Sequence, residues 1–178
     1  LVGEFGLTVY GGRGFLTPIG CLRRCTKVLR APKSSGTACA PRGAMSNGYR
    51  GRGLTQAEVD AITADFRSAG GVVDQGVDAQ RYLKQRGAGG LTLNEETILL
   101  PASPTRTAVY EELVHVEQFR RGVIIEAGRG GILRFEIEAA ETLIRNRHAW
   151  QLPADEVRQV IENLRKMRAE LQRLKAGQ

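Results

Sequence analysis

The chain has 178 residues, 42% of them hydrophobic, and a formal net charge of +7. That length and apolar content suit one domain of moderate size, with a tail, able to bury a core without disulfide or metal staples. No apolar run reaches the roughly eighteen residues of a membrane span and no charged-then-apolar leader opens the chain, so neither a transmembrane helix nor a signal peptide is expected.

Residues 1–53 carry nine Lys or Arg against the single acid Glu4, whereas residues 54–178 carry 17 bases and 18 acids. The excess positive charge therefore belongs to an N-terminal arm. Such an arm suits contact with nucleic acid, anionic lipid or an acidic partner, and equally a solvated tail. Half of the 22 glycines lie there, with Pro18, Pro32 and Pro41. A short strand at Leu7–Tyr10 is expected, and a loop or linker from Ala31 to Gly53. Cys21, Cys25 and Cys39 are odd in number and have no histidine near them, which argues against a closed disulfide framework and against a four-ligand zinc site. The first residue, Leu1, suggests a piece cut from a longer polypeptide.

The pattern changes at Leu54. Thr55-Gln56-Ala57-Glu58 reads as a capping box, and Val59, Ile62, Phe66 and Ala69 recur at helical spacing until Gly70-Gly71. A second helix is expected from Asp78 to Arg86, stopped by Gly87. Leu91–Leu93 and Thr97–Leu100 flank a polar turn and predict a β-hairpin ended by Pro101. Ser103 with Pro104 predicts the start of a helix running to about Arg121, with Gly122 as terminator. After glycines 128, 130 and 131, a helix from Ile132 to about Arg147 carries the stripe Leu133, Ile137, Ala140 and Ile144. Pro153 opens the last helix, to about Lys175. There Val157, Val160, Leu164, Met167, Leu171 and Leu174 form a heptad seam, suited to a hairpin with the preceding helix or to a coiled-coil partner. Two parts follow: the arm, 1–53, and a domain, 54–178. The fold class is α+β, mainly α-helical with a small β-hairpin.

The residues that could carry chemistry lie on the helix through Tyr110–Arg121. Glu111 and His115, four apart, share a face, and Gln118 follows a turn later. Glu112 lies beside Glu111 and close to His115. The next helix brings Glu136, Glu138 and Glu141. Two ligands four apart on a helix can grip one cation, with a third from a later helix and a Glu beside the first as base. The same spacing also makes an ordinary helical ion pair. In the usual metal pattern the first ligand is histidine; here it is Glu111, which keeps zinc chemically feasible and shifts preference toward manganese or magnesium. His148 lies near a helix C-terminus, and Trp150 reads as a packing anchor.

The stretch from Phe66 to about Ile144 resembles the zincin-like metallopeptidase domains at the C-termini of polymorphic toxins, including Rhs-repeat toxins. The residues that carry the resemblance are Gly70-Gly71, Arg86-Gly87-Ala88-Gly89-Gly90-Leu91-Thr92-Leu93, Ile98-Leu99-Leu100, Tyr110-Glu111-Glu112-Leu113-Val114-His115, Gln118, Arg121-Gly122 and Phe135-Glu136-Ile137-Glu138-Ala139. The resemblance implies a zincin-like active-site helix with Glu112 as general base, His115 as a metal ligand that also serves catalysis, Glu138 or failing that Glu136 as third ligand, and Glu111 in the place of the first histidine. It implies a secreted domain, released from a larger carrier polypeptide into a target cell, cleaving a protein substrate and neutralised by a cognate immunity protein. Tyr110 or Arg134 is a candidate for steadying an oxyanion. Two alternatives stand beside a zinc peptidase: a metal-dependent nuclease that uses the basic arm on nucleic acid, and a non-catalytic binding domain on a degenerate zincin scaffold that has lost the first histidine, which Glu111 paired with an arginine such as Arg120 or Arg134 would favour.

Overall fold

The computed structural model describes residues 48–177. The three cysteines, the strand expected at Leu7–Tyr10 and most of the basic arm lie outside the described residues.

Helix α1 (Gln56–Ile62) opens as expected. The Thr55 side chain accepts from the Glu58 amide at 3.3 Å, and the Glu58 carboxylate accepts from the Thr55 amide at 2.9 Å. The single helix expected here is broken at Thr63, and α2 (Ala64–Ser68) follows. The buried Thr63 hydroxyl donates back to the Val59 carbonyl at 2.8 Å, a competitor for the helical ladder that bends or interrupts it. After Gly70-Gly71 comes a strand that was not expected, β1 (Val72–Asp74). Helix α3 (Val77–Arg86) ends at Gly87, whose φ of 62° suits glycine. The predicted hairpin is β2 (Leu91–Asn94) and β3 (Thr97–Leu99). It joins β1 in a mixed sheet of order β1-β3-β2, with β1 parallel to the central β3 and β2 antiparallel to it.

Helix α4 (Arg106–Arg120) starts later than Ser103 suggests. Thr105 is the cap, accepting from the Ala108 amide at 3.3 Å, while the Ser103 hydroxyl donates to the Leu54 carbonyl at 3.1 Å. The buried Glu156 adds a carboxylate at this end, accepting from the Thr107 amide at 2.9 Å, where the helix dipole favours negative charge. Helix α5 (Arg129–Asn146) and helix α6 (Ala154–Ala176) complete the chain. They pack extensively on each other, and Arg129 at the start of α5 pairs with Glu170 near the end of α6 at 2.7 Å. The heptad seam of α6 therefore serves an internal helical hairpin: Val160 and Leu164 are buried, and only its last apolar residue, Leu174, is exposed. The fold is α+β, mainly helical with a small sheet. Among the described residues no helix is long and apolar enough to cross a membrane.

Helix α4 lies between two apolar clusters. Val109 and Val116 join Val59, Phe66, Ile98 and Leu100 on the sheet side. Ala108 joins Ala140, Leu143, Val160 and Leu164 on the side of α5 and α6. Tyr49 belongs to this second cluster. The end of the predicted linker is thus built into the body: the Gln159 side chain accepts from the Arg50 amide at 2.8 Å and donates to the Arg50 carbonyl at 2.7 Å.

Candidate metal centre

A helix enclosed on both flanks buries whatever polar residues it carries. Glu111 is 6% exposed, Glu112 2%, His115 5% and Gln118 0%. Burying ionisable groups is costly unless they are paired, neutralised or bound to a cation, so three of them on one helix, with a buried amide beside them, call for a chemical account.

Glu111, His115 and Glu136 each offer one ligand atom, and these atoms all lie within 4.8 Å of one another. His115 Nε2 stands 3.6 Å from Glu136 Oε2. The third candidate ligand is therefore Glu136. Glu138, the first choice from the sequence, is turned away: it pairs with Arg121 and accepts from Gln118 Nε2 at 3.1 Å. The reason is helix phase. Ala140 and Leu143, fully buried, lie four and seven residues beyond Glu136 and carry it on the inner face of α5, two residues out of step with Glu138.

The two oxygens of Glu111 differ. Oε1 accepts from the Tyr49 hydroxyl at 2.9 Å. Oε2 is buried and has no hydrogen-bond partner among the described residues. A buried acceptor left unmatched costs about 1–3 kcal/mol, more when charged, and a cation between Glu111, His115 and Glu136 would satisfy it. One nitrogen and carboxylate oxygens from two residues suit zinc, and also manganese or another hard divalent ion. These residues fit a metal; they do not single one out.

Glu112 is not one of the three converging residues. Its carboxylate lies against Gly90, where a Cβ would stand only 2.6 Å from Oε1. The Thr92 hydroxyl sits 2.8 Å from Glu112 Oε2 and 2.9 Å from the Glu112 main-chain carbonyl, and donates to one of them at a time. Burial is the main force that raises the Glu112 pKa to about 7, with His115 and the Thr92 hydroxyl opposing it. Burial likewise pushes Glu111 well above the usual carboxylate range, helped by Glu136 and opposed by His115. For His115 burial disfavours the cation, but Glu136, Glu112 and Glu111 together outweigh it and raise the imidazole to about 10. The metal-free cluster therefore holds protons that a bound cation would displace.

Other expectations are redirected. Tyr110 stacks on Trp150, with centroids 4.7 Å apart, in the α5–α6 cluster. Arg134 pairs with Glu126, and Arg120 lies over the Phe66 ring at 5.7 Å. Neither arginine pairs with Glu111, so the contact that would have favoured the non-catalytic binding reading is not made. His148 is exposed. Gln118 does reach the site, with Oε1 2.8 Å from His115 Nδ1. Sequence reasoning missed Tyr49 and Thr92; both come from outside the motif helix, one from a stretch read as linker and one from the hairpin.

In comparisons with known proteins, the chain matches no protein-family model, no curated protein and no solved structure.

Proposed function

We propose that this chain is a metal-dependent hydrolase, a peptidase acting as the effector domain of a polymorphic toxin. The observation that carries the reading is the convergence of Glu111, His115 and Glu136, with Glu111 Oε2 buried and unmatched and Glu112 buried beside them. Glu111, His115 and Glu136 would hold the ion, zinc first and manganese or magnesium as alternatives. When bound, the ion supplies Lewis acidity toward a peptide carbonyl and toward the attacking water.

The chain's own residues supply the proton handling. Glu112 is buried beside the three ligands, and burial makes its carboxylate a stronger base than an exposed one, as a general base requires. Thr92 is arranged for both of its protonation states. Toward the carboxylate the hydroxyl donates; toward the carboxylic acid it can accept, because the Glu112 main-chain carbonyl is within reach of its own proton. Glu112 can thus take a proton from water and return it to the leaving amine without losing its anchor. His115 is held by Gln118 on one side and by the Phe135 ring, stacked at 4.8 Å, on its face.

Delivery from a larger carrier into a target cell, a protein substrate and a cognate immunity protein belong to the same proposal, on the motif order described above. The charge of residues 1–53 favours one second reading, a metal-dependent nuclease that grips nucleic acid through the arm. Elemental analysis of the purified protein, together with toxicity of Glu112→Gln on expression in a bacterial host, tests the first reading. Bound divalent metal and a harmless variant are expected; full toxicity with Gln at 112 removes Glu112 from catalysis. Salt-dependent retention on DNA or RNA would favour the nuclease.

A further inference from the structure

Gln118 is fully buried, and its amide is surrounded in a way that leaves one orientation. Its Nε2 faces the Phe135 main-chain carbonyl at 3.0 Å and the Glu138 carboxylate at 3.1 Å. Both groups can only accept, so they require the amide's two N–H donors on that side. Reversing the amide would set its oxygen against two other acceptors. Gln118 Oε1 is therefore the atom that meets His115 Nδ1 at 2.8 Å, and an oxygen there requires a proton on Nδ1. The other ring nitrogen, Nε2, points toward Glu136.

We infer that Gln118, steadied by Glu138 and Arg121, is a positioning residue that fixes His115 as the Nδ1–H tautomer and so reserves Nε2 for the cation. This rests on the metal-centre reading above and deepens it. The chain of contacts runs from a buried ring nitrogen to the surface, where the Arg121–Glu138 pair has side chains 49% and 39% exposed. As an isolated surface ion pair it would contribute little. Here it holds the second acceptor of Gln118 in place. Glu138, set aside as a ligand, becomes an outer member of the same centre, in the arrangement by which metal-bound histidines are commonly oriented through their other nitrogen.

The chain contains only two histidines, so 15N-labelling of histidine gives a spectrum with two rings, and a His148→Asn variant assigns them. In long-range 1H–15N spectra of the zinc-loaded protein, His115 should keep its proton on Nδ1 and show the metal-shifted signal on Nε2. Zinc on Nδ1, or a mixture of tautomers, would overturn the inference. In the metal-free protein an Nδ1–H signal slow to exchange with water is expected and should become fast in Gln118→Leu; equal exchange rates in the two proteins also overturn it. This metal-free measurement separates the two claims: a protein that binds no zinc yet keeps the protected Nδ1 proton refutes the metal centre and leaves the Gln118 hydrogen bond to Nδ1 standing, whether or not Nε2 also carries a proton. In chelator competition Gln118→Leu should bind zinc about 10- to 100-fold more weakly. Glu138→Gln, which keeps an acceptor for Gln118 Nε2, should stay close to the unsubstituted protein, and Glu138→Leu should not. Equal affinities for Glu138→Gln and Glu138→Leu would remove Glu138 from the positioning chain.

Discussion

Replacing Tyr49 with Phe removes one hydroxyl and leaves the rest of the ring in its cluster with Ala108, Ala140, Leu143, Leu152 and Val160. The lost contact is the 2.9 Å hydrogen bond to Glu111 Oε1. Its worth depends on the charge of Glu111. With a cation bound, Glu111 must be ionised, and a hydrogen bond to an ionised group contributes about 1.5–3 kcal/mol. Without the cation, burial raises the Glu111 pKa, so near neutral pH much of the population is protonated and the bond has the neutral value of about 0.5–1.5 kcal/mol. The difference, about 1–1.5 kcal/mol, is the part of the bond that assists metal binding, and it corresponds to roughly tenfold in affinity. Tyr49→Phe should therefore bind zinc roughly tenfold more weakly in competition with a chromophoric chelator, while the metal-free protein melts within a few degrees of the parent. An unchanged zinc affinity in the variant would refute the reasoning, because it would mean that Glu111 is not loaded with charge when metal binds.

Three other outcomes follow from the same geometry. Metal-free protein should lose melting temperature as pH rises from about 5 to about 10: Glu111 and Glu112 have raised pKa values when folded, and His115 is raised to about 10, so each contributes stability below its unfolded pKa and loses it as pH climbs through its folded one. A flat melting profile over that range in calorimetry would contradict these assignments, and the gain in melting temperature on adding zinc should itself grow with pH. Glu136→Gln should abolish tight zinc binding where Glu138→Gln does not; the reverse order, read by chelator competition, would restore the ligand expected from sequence. Gly90→Ala would bring a Cβ to 2.6 Å from Glu112 Oε1 and push the carboxylate off Thr92, so toxicity should fall while zinc affinity stays near the parent value. Full toxicity in that variant would mean that the Thr92 anchor is dispensable.

Much of the fold was legible because local signals agree with tertiary ones. The capping box at Thr55, the glycine stop at Gly87 and the hairpin around Asn94 are each decided within a few residues, and each is present. What was missed depends on partners distant in sequence. Strand β1 has only three residues and is held by parallel pairing to β3, so no periodicity announces it. Tyr49 sits among glycines and arginines that read as linker; its role is set by α4, 62 residues away. The choice between Glu136 and Glu138 turned on the phase of α5. Of the expected stripe, Leu133 and Ala140 are buried but Ile137 and Ile144 only partly so, and Ala139 and Leu143 turn the buried face toward Glu136. The signal was present in Ala140 and Leu143, whose small and branched side chains at steps of four and seven from Glu136 carry that face inward.

Charge balance explains why Glu111 in place of histidine does not disqualify the centre. Glu111, Glu112 and Glu136 surround a single imidazole. With all three ionised, even a fully protonated His115 leaves two negative charges in a volume almost closed to water, so without a metal the cluster must hold protons. A divalent ion changes that account. Held by Glu111, His115 and Glu136, it would offset the two carboxylate charges and would leave Glu112 outside the ligand set. A two-histidine, one-carboxylate set in the same pocket would leave a net positive ion and draw Glu112 into pairing with it. On the proposed function, the carboxylate at 111 would cost some affinity for a borderline-soft ion such as zinc and would leave Glu112 unpaired with the ion. On this balance the centre should tolerate manganese better than a two-histidine site does, with the Tyr49 hydroxyl steadying the charge on Glu111 through its hydrogen bond to Oε1.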